Sequence, residues 1–163
     1  MMIYFCGAIS GGRNDLTVYQ HVVHYLQSKG HTVPTQHVAN PDVLSEERAL
    51  TAREVYVRDE AWIRQSDLLI AEISTPSLGV GYEIGRGLQQ GIPVLCLYRT
   101  GLEVSKMITG NTAPNLQVQA YQDIEDLNRH IDRFLTLFSP SSGSPMGSAE
   151  GSLGLRNEKP VIP

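Results

Sequence analysis

The stretch Ser77-Leu78-Gly79-Val80-Gly81-Tyr82-Glu83 follows an apolar run that ends near Ile73 and leads into a segment of helical period. Its glycines let a ligand approach the backbone, and its glutamate falls in the first turn of a helix expected over 81–90. The helix dipole there favours an ionised carboxylate, by about 0.3–1 kcal/mol at an exposed position. Such a carboxylate can act as a nucleophile in covalent catalysis. The same position also suits an acid that merely caps the helix, and both readings of Glu83 stand on position alone.

A second carboxyl, Asp59, lies in a helix expected over 51–65 whose apolar stripe runs Ala52, Val55, Tyr56, Trp62 and Ile63. Asp59 sits four residues after Val55 and three before Trp62, so it belongs to that stripe. A carboxyl on an inward face must be paired, hydrogen-bonded or protonated. It is either a structural aspartate or an acid whose pKa apolar surroundings raise, the complement of a charged Glu83 in one site. Tyr4, on the first apolar run, can offer its hydroxyl to Glu83 or serve only as a core tyrosine.

Gly7-Ala8-Ile9-Ser10-Gly11-Gly12-Arg13 follows that first run and can hold a nucleotide: glycines admit close backbone approach and Arg13 adds a fixed positive charge. The loop is neither a Walker loop nor a full G-x-G-x-x-G, and a plain strand-exit turn is its other reading. His37, near the end of a weak second strand, lies on the same edge, as do Ser105 and Lys106 in a long loop. His21 and His24 are spaced for one helix face, but no third ligand accompanies them, and neither a metal nor a cofactor is called for.

The elements that must position these residues alternate. Strand-like runs occupy 3–9, 67–73 and 93–98, with weaker ones at 31–38 and 116–121; helical period appears over roughly 15–28, 51–65, 81–90 and 122–138. Continuously apolar strands alternating with helices predict a doubly wound (Rossmann/flavodoxin-like) α/β fold, a five-stranded parallel sheet flanked by helices. In such a sheet ligands gather outside the carboxyl ends of the strands, where the candidate loops emerge. Gly30 and Gly91 are the expected helix stops. Segments 39–50 and 99–115 are polar connections. Residues 1–138 make one catalytic-sized domain, and the Ser/Gly/Pro-rich residues 139–163, with Ser-Pro pairs at 139 and 144, lack the apolar content to order themselves.

The composition narrows the function. The chain has 163 residues and a formal net charge of −4, which leaves no basic field to hold a nucleic acid polymer. Cys6 and Cys96 each lie inside apolar runs and read as buried thiols of a reducing compartment. No segment approaches the roughly 18 apolar residues needed to cross a bilayer, and no secretory signal opens the chain. The expectation is a soluble protein of the cytoplasm, with nuclear residence left open.

Together, Y-F-C-G-x-I-x-G-G-R, the D-x-x-W of Asp59 and Trp62, and P-S-L-G-V-G-Y-E-x-G-R resemble the 2'-deoxynucleoside 5'-phosphate N-hydrolases, within the nucleoside 2-deoxyribosyltransferase superfamily, over about residues 2 to 136. The resemblance implies a homodimer that cleaves the N-glycosidic bond of deoxynucleoside monophosphates, 5-hydroxymethyl-dUMP among them, releasing base and 2-deoxyribose 5-phosphate. It implies Glu83 as the nucleophile, Tyr4 as its positioning partner and Asp59 as the proton donor to the leaving base. Gly7, Ala8, Ile9, Ser10, Gly11, Gly12, Arg13 and His37 would line the nucleotide pocket. Ser77 and Gly79 would hold the 5'-phosphate. The stretch Val104-Ser105-Lys106-Met107-Ile108 would bring Ser105, with Met107, to the neighbouring subunit's site. Relatives usually read G-S-I-R-G-G-R in the first loop, whereas here Ala8 and Ser10 replace the serine and arginine, each charge-assisted contact being worth about 1.5–3 kcal/mol. Two other readings share this pocket, a 2-deoxyribosyltransferase and a nucleotide-binding regulatory module without chemistry. A ribohydrolase with a P-G-G-x-G-T-x-x-E motif is disfavoured, because the P-G-G and the threonine are missing.

Overall fold

The structure is a computed structural model that describes residues 1–139, so the tail expected from 139 onward lies outside the described residues beyond Ser139 itself. Four strands, β1 (Ile3–Cys6), β2 (Leu68–Glu72), β3 (Val94–Arg99) and β4 (Leu116–Tyr121), form one parallel sheet in the order β1-β2-β3-β4. Among the described residues six α-helices accompany them: α1 (Leu16–Ser28), α2 (Val43–Arg48), α3 (Ala52–Gln65), α4 (Leu78–Gln89), α5 (Lys106–Thr109) and α6 (Ile124–Phe138). The continuous apolar runs are explained by burial on both sheet faces: β1 and β2 are buried at every residue. On one face Ile3, Phe5, Ile70 and Leu95 pack against α1 and α6. On the other Tyr4, Leu69, Ala71 and Cys96 pack against α3 and α4. Both thiols are free and buried.

Among the described residues the sheet has four strands rather than the five expected. Segment 31–38 contributes only one parallel bridge, Thr32 to Met2, on the edge of β1 away from β2, before the chain turns into a 3₁₀ helix over Gln36–Ala39. Pro34 has no N–H for a ladder. At the next residue the Thr35 hydroxyl takes over the pairing, accepting from Phe5 N at 3.0 Å and donating to Phe5 O. The polar connections also hold structure that was not expected, α2 inside 39–50 and α5 inside 99–115. Gly30 and Gly91 end their helices with φ of +82° and +76°, conformations that favour glycine.

Among the described residues no helix is long and apolar enough to cross a membrane.

Candidate active site

Glu83 lies deeper in its helix than expected. The helix α4 begins at Leu78, where the Ser77 hydroxyl caps it by accepting from Val80 N at 3.4 Å, so Glu83 stands in the second turn and not the first. Its ionisation is therefore governed by burial rather than by the helix end. Removal of solvent pushes its pKa up to about 7, Asp59 and Glu47 add like charge, and hydrogen bonds from Tyr4 and Cys6 pull back in favour of the anion. The Tyr4 hydroxyl donates to Glu83 Oε1 at 2.6 Å, a contact across 79 residues of sequence set by Tyr4's position on β1 facing α4. Burial and the Glu83 carboxylate push the Tyr4 phenol far above its ordinary value, so it remains a donor.

Asp59 reaches the same place from α3. That helix starts at a capping box in which Thr51 Oγ1 accepts from Glu54 N at 3.2 Å and Glu54 Oε2 accepts from Thr51 N at 2.7 Å. It is then clamped to α4 through Glu60: Arg86 donates to Glu60 Oε1 and Oε2 at 2.8 and 3.0 Å, and the Tyr82 hydroxyl adds a bond at 2.9 Å. This fully buried carboxylate, next in sequence to Asp59, fixes the distance between the helices that carry the two site carboxyls.

The surroundings of Asp59 are not the apolar ones expected. Its stripe is not buried along its length: Ile63 is covered, but Tyr56 is 55% exposed. A cation answers the carboxyl instead. Arg58 Nε and Nη2 donate to Asp59 Oδ1 and Oδ2 at 2.8 and 3.3 Å, and Nη2 also approaches Glu47 Oε1 at 3.4 Å. His37 joins the group through Arg58, its Nε2 3.3 Å from Nη2, with its ring 5.7 Å from that of Trp62. Burial, followed by the Arg58 charge, lowers the His37 pKa, so this imidazole is neutral at pH 7. The expected division, a charged Glu83 and an apolar Asp59, is thus reversed in its causes: Glu83 is the desolvated carboxyl and Asp59 the one held by an arginine.

Glu83 and Asp59 share a cleft of about 430 Å³ with Gly7, Ile9, Ser10, Gly11, Ser77 and Gly79. The glycines matter here for close approach. A Cβ on Gly7 would stand 2.7 Å from the Tyr19 ring, and one on Gly11 would stand 2.6 Å from the Pro76 carbonyl oxygen. Ala8 is buried behind the loop, its N–H donating to the Tyr19 hydroxyl at 3.0 Å, and Gly12 takes a φ of +132°. Arg13 is turned away from the cleft. Its guanidinium donates to the carbonyls of Ala8 at 3.3 Å, Val38 at 2.7 Å and Asn40 at 2.9 Å, tying the glycine loop to the 3₁₀ helix and the residue after it. The cleft therefore offers an anion neutral donors: the Ser77 and Ser10 hydroxyls and the Leu78 and Gly79 N–H groups, which a first helical turn leaves without intrahelical partners.

Ser105 and Met107 are not in this cleft. They line a neighbouring groove of about 510 Å³ with Leu78, Val80, Ile84 and Ile108. Glu47, Arg58 and Cys6 are site residues that sequence reasoning missed. The run Val57-Arg58-Asp59 held one signal, a cation beside the candidate acid, but adjacent residues do not share a helix face and so do not predict a contact.

These observations meet the comparisons with known proteins. The nucleoside 2-deoxyribosyltransferase family model matches residues 3–138. A mouse protein named 5-hydroxymethyl-dUMP N-hydrolase is 40% identical over 151 residues, covering 88% of this chain and 87% of its own. The zebrafish protein of the same name is 43% identical over 142 residues, covering 84% and 98%. Among solved structures, a Clostridium botulinum CMP N-glycosidase aligns with a TM-score of 0.59 at 19% identity, over 81% of this chain and 99% of its own, a likeness of fold. With a matching model across nearly all the described residues and relatives covered almost end to end, the chain belongs to the nucleoside 2-deoxyribosyltransferase family.

Proposed function

We propose that this chain hydrolyses the N-glycosidic bond of 2'-deoxynucleoside 5'-monophosphates, 5-hydroxymethyl-dUMP among them, to free base and 2-deoxyribose 5-phosphate. The observation that carries the reading is the Tyr4–Glu83 hydrogen bond of 2.6 Å in a cleft that also holds Asp59 and the opening glycines. Glu83 Oε attacks the anomeric carbon as the C–N bond breaks, and that bond's electron pair leaves with the base. Asp59, at the same cleft, passes a proton to the departing nitrogen. Water then attacks the anomeric carbon of the glycosyl ester, its proton passing to Asp59, which is thereby restored for the next turnover, and the Glu83 carboxylate is released. This is the retaining course of a two-step glycosidase. The 2-deoxy sugar helps, because it lacks the electron-withdrawing hydroxyl that would oppose cationic character at that carbon.

In this scheme the 5'-phosphate sits at the amino end of α4 on Ser77 and Gly79, with the backbone of Ser10 to Gly12 opposite. Ser105 and Met107 belong to the partner subunit's site in a homodimer. Apolar surface left uncovered on one side supports the dimer: Leu78 is 96% exposed, Met107 82%, and both border the groove that holds Ser105. Residence in the cytoplasm or nucleus is part of the same proposal, with the buried free thiols in keeping with a reducing compartment.

The test is base release measured across deoxy- and ribonucleoside monophosphates and the matching nucleosides, with and without a second free base. The proposal expects free base and 2-deoxyribose 5-phosphate, with a preference for phosphorylated deoxy substrates. Exchanged nucleotide as the main product would make the chain a transferase, and tight binding without turnover would make it a regulatory module.

A Tyr4→Phe variant tests the electrostatics. Only ionised Glu83 attacks, so the rate is present above its pKa of about 7 and lost as pH falls through it. Tyr4 favours the anion, and removing a hydrogen bond to a charged group, about 1.5–3 kcal/mol, moves that limb to higher pH by about 1–2 units. The pH profile of kcat/KM is the measurement. An unmoved limb would detach Tyr4 from Glu83.

A further inference from the structure

Two carboxyls that play no part in the reaction above are buried more completely than those that do. Asp15, just before α1, is 1% exposed, and Glu72, the last residue of β2, is 0% exposed. Four side chains from three segments answer them. Thr75 Oγ1 donates to Asp15 Oδ2 at 2.6 Å, and Arg99 Nη2 lies 2.9 Å from Asp15 Oδ1. The Tyr121 hydroxyl donates to Glu72 Oε1 at 3.0 Å. Ser74 donates its hydroxyl to Glu72, and that same oxygen accepts from Arg99 N at 2.8 Å. Carboxyls buried this deeply are tolerated only when each is answered by hydrogen bonds or charge, so the segments that answer them are held in one arrangement.

What they hold is the turn Ser74-Thr75-Pro76-Ser77, which delivers the chain to the amino end of α4. The glycine loop rests on the same turn: the ideal Cβ of Gly12 falls 3.7 Å from Thr75 Cγ2, and Gly11 packs directly on the Pro76 carbonyl. The two halves of the expected phosphate pocket therefore hang from one buried network.

We propose that Thr75 with Asp15, and Ser74 with Glu72, are positioning residues that aim the first turn of α4 and the glycine loop at a common point, where the 5'-phosphate of the substrate is held. The inference rests on the nucleotide reading given above. An apolar replacement of the network would fill the space but leave the turn's hydroxyls and N–H groups unanswered, and the turn free to shift.

The experiment compares the wild type with Thr75→Val, which keeps the shape and loses the donor, Thr75→Ser, which keeps the donor, and Ser74→Ala. Dissociation constants for dUMP and for 2'-deoxyuridine are measured by calorimetry, kcat is measured on dUMP, and folding is checked by thermal melting. Thr75→Val and Ser74→Ala are expected to weaken dUMP about tenfold or more, leave deoxyuridine affinity within about threefold and change kcat little, with Thr75→Ser near wild type. Equal weakening of both ligands, or unchanged dUMP affinity, overturns the proposal. Should one variant fail to fold, the other carries the same comparison. A wild type that binds dUMP but never releases uracil sinks the hydrolase reading alone, because the affinities of the variants still decide the positioning. A wild type that prefers dUMP no more than deoxyuridine overturns both.

Discussion

Replacing Glu83 by Gln is expected to leave deoxynucleotide affinity within about threefold of wild type while lowering base release by about a thousandfold or more. The two side chains have the same shape, and the amide oxygen can still accept from the Tyr4 hydroxyl, so the cleft keeps its form. A neutral amide, however, cannot displace the base, and the covalent route closes. Pocket contacts that survive support only residual cleavage. Two further results belong to the same experiment. Mass spectrometry of quenched wild-type enzyme should find deoxyribose phosphate on the peptide that contains Glu83, and none on the variant. The acid limb near pH 7 should also vanish from the residual activity, since the group that titrates there is gone. A variant that turns over normally, or a sugar trapped on another residue, would remove Glu83 as the nucleophile.

The second large effect is expected at Asp59. Proton transfer from a positioned side chain contributes about 10²–10⁴-fold, and Asp59→Asn should lose a rate of that order at near-constant substrate affinity. Because the Asp59 carboxyl group is gripped by Arg58, the substitution also leaves a guanidinium without its principal partner, and that disturbance must be told apart from lost proton transfer. The leaving group separates them. A base that departs readily as an anion needs little protonation, so the defect should shrink on 5-fluoro-dUMP relative to dUMP. Misplacement of the pocket would slow both equally. An equal defect on the two substrates therefore excludes Asp59 from the proton-donor role, and an undiminished rate excludes it from the reaction.

Much of this arrangement was legible in advance. The alternation of apolar runs with helical segments announces a parallel sheet covered on both faces; β1, β2 and β4 lie inside the runs expected of them, and β3 runs one residue past its own, to Arg99. The misses have local causes. Segment 31–38 has strand-like composition, but Pro34 cannot donate and Thr35 bonds through its side chain, so pairing stops after one bridge. The helices α2 and α5 have six and four residues, too few to display a period. At α4 the glycines hid three residues of helix, and the error mattered, because it moved Glu83 out of the first turn and changed what governs its charge. Arg13 was read as a charge for the ligand, whereas three backbone carbonyls occupy it.

The order of residue types along the chain by itself determined the kind of fold and which side chains have chemistry to offer, since apolar period and motif spacing are local properties. Only the tertiary structure decided the state of those side chains. The charge of a carboxyl depends on how much water is removed from it and on which groups replace that water. For Glu83 those groups include Tyr4, 79 residues away, and for the turn that leads to α4 they include Asp15, 60 residues from Thr75.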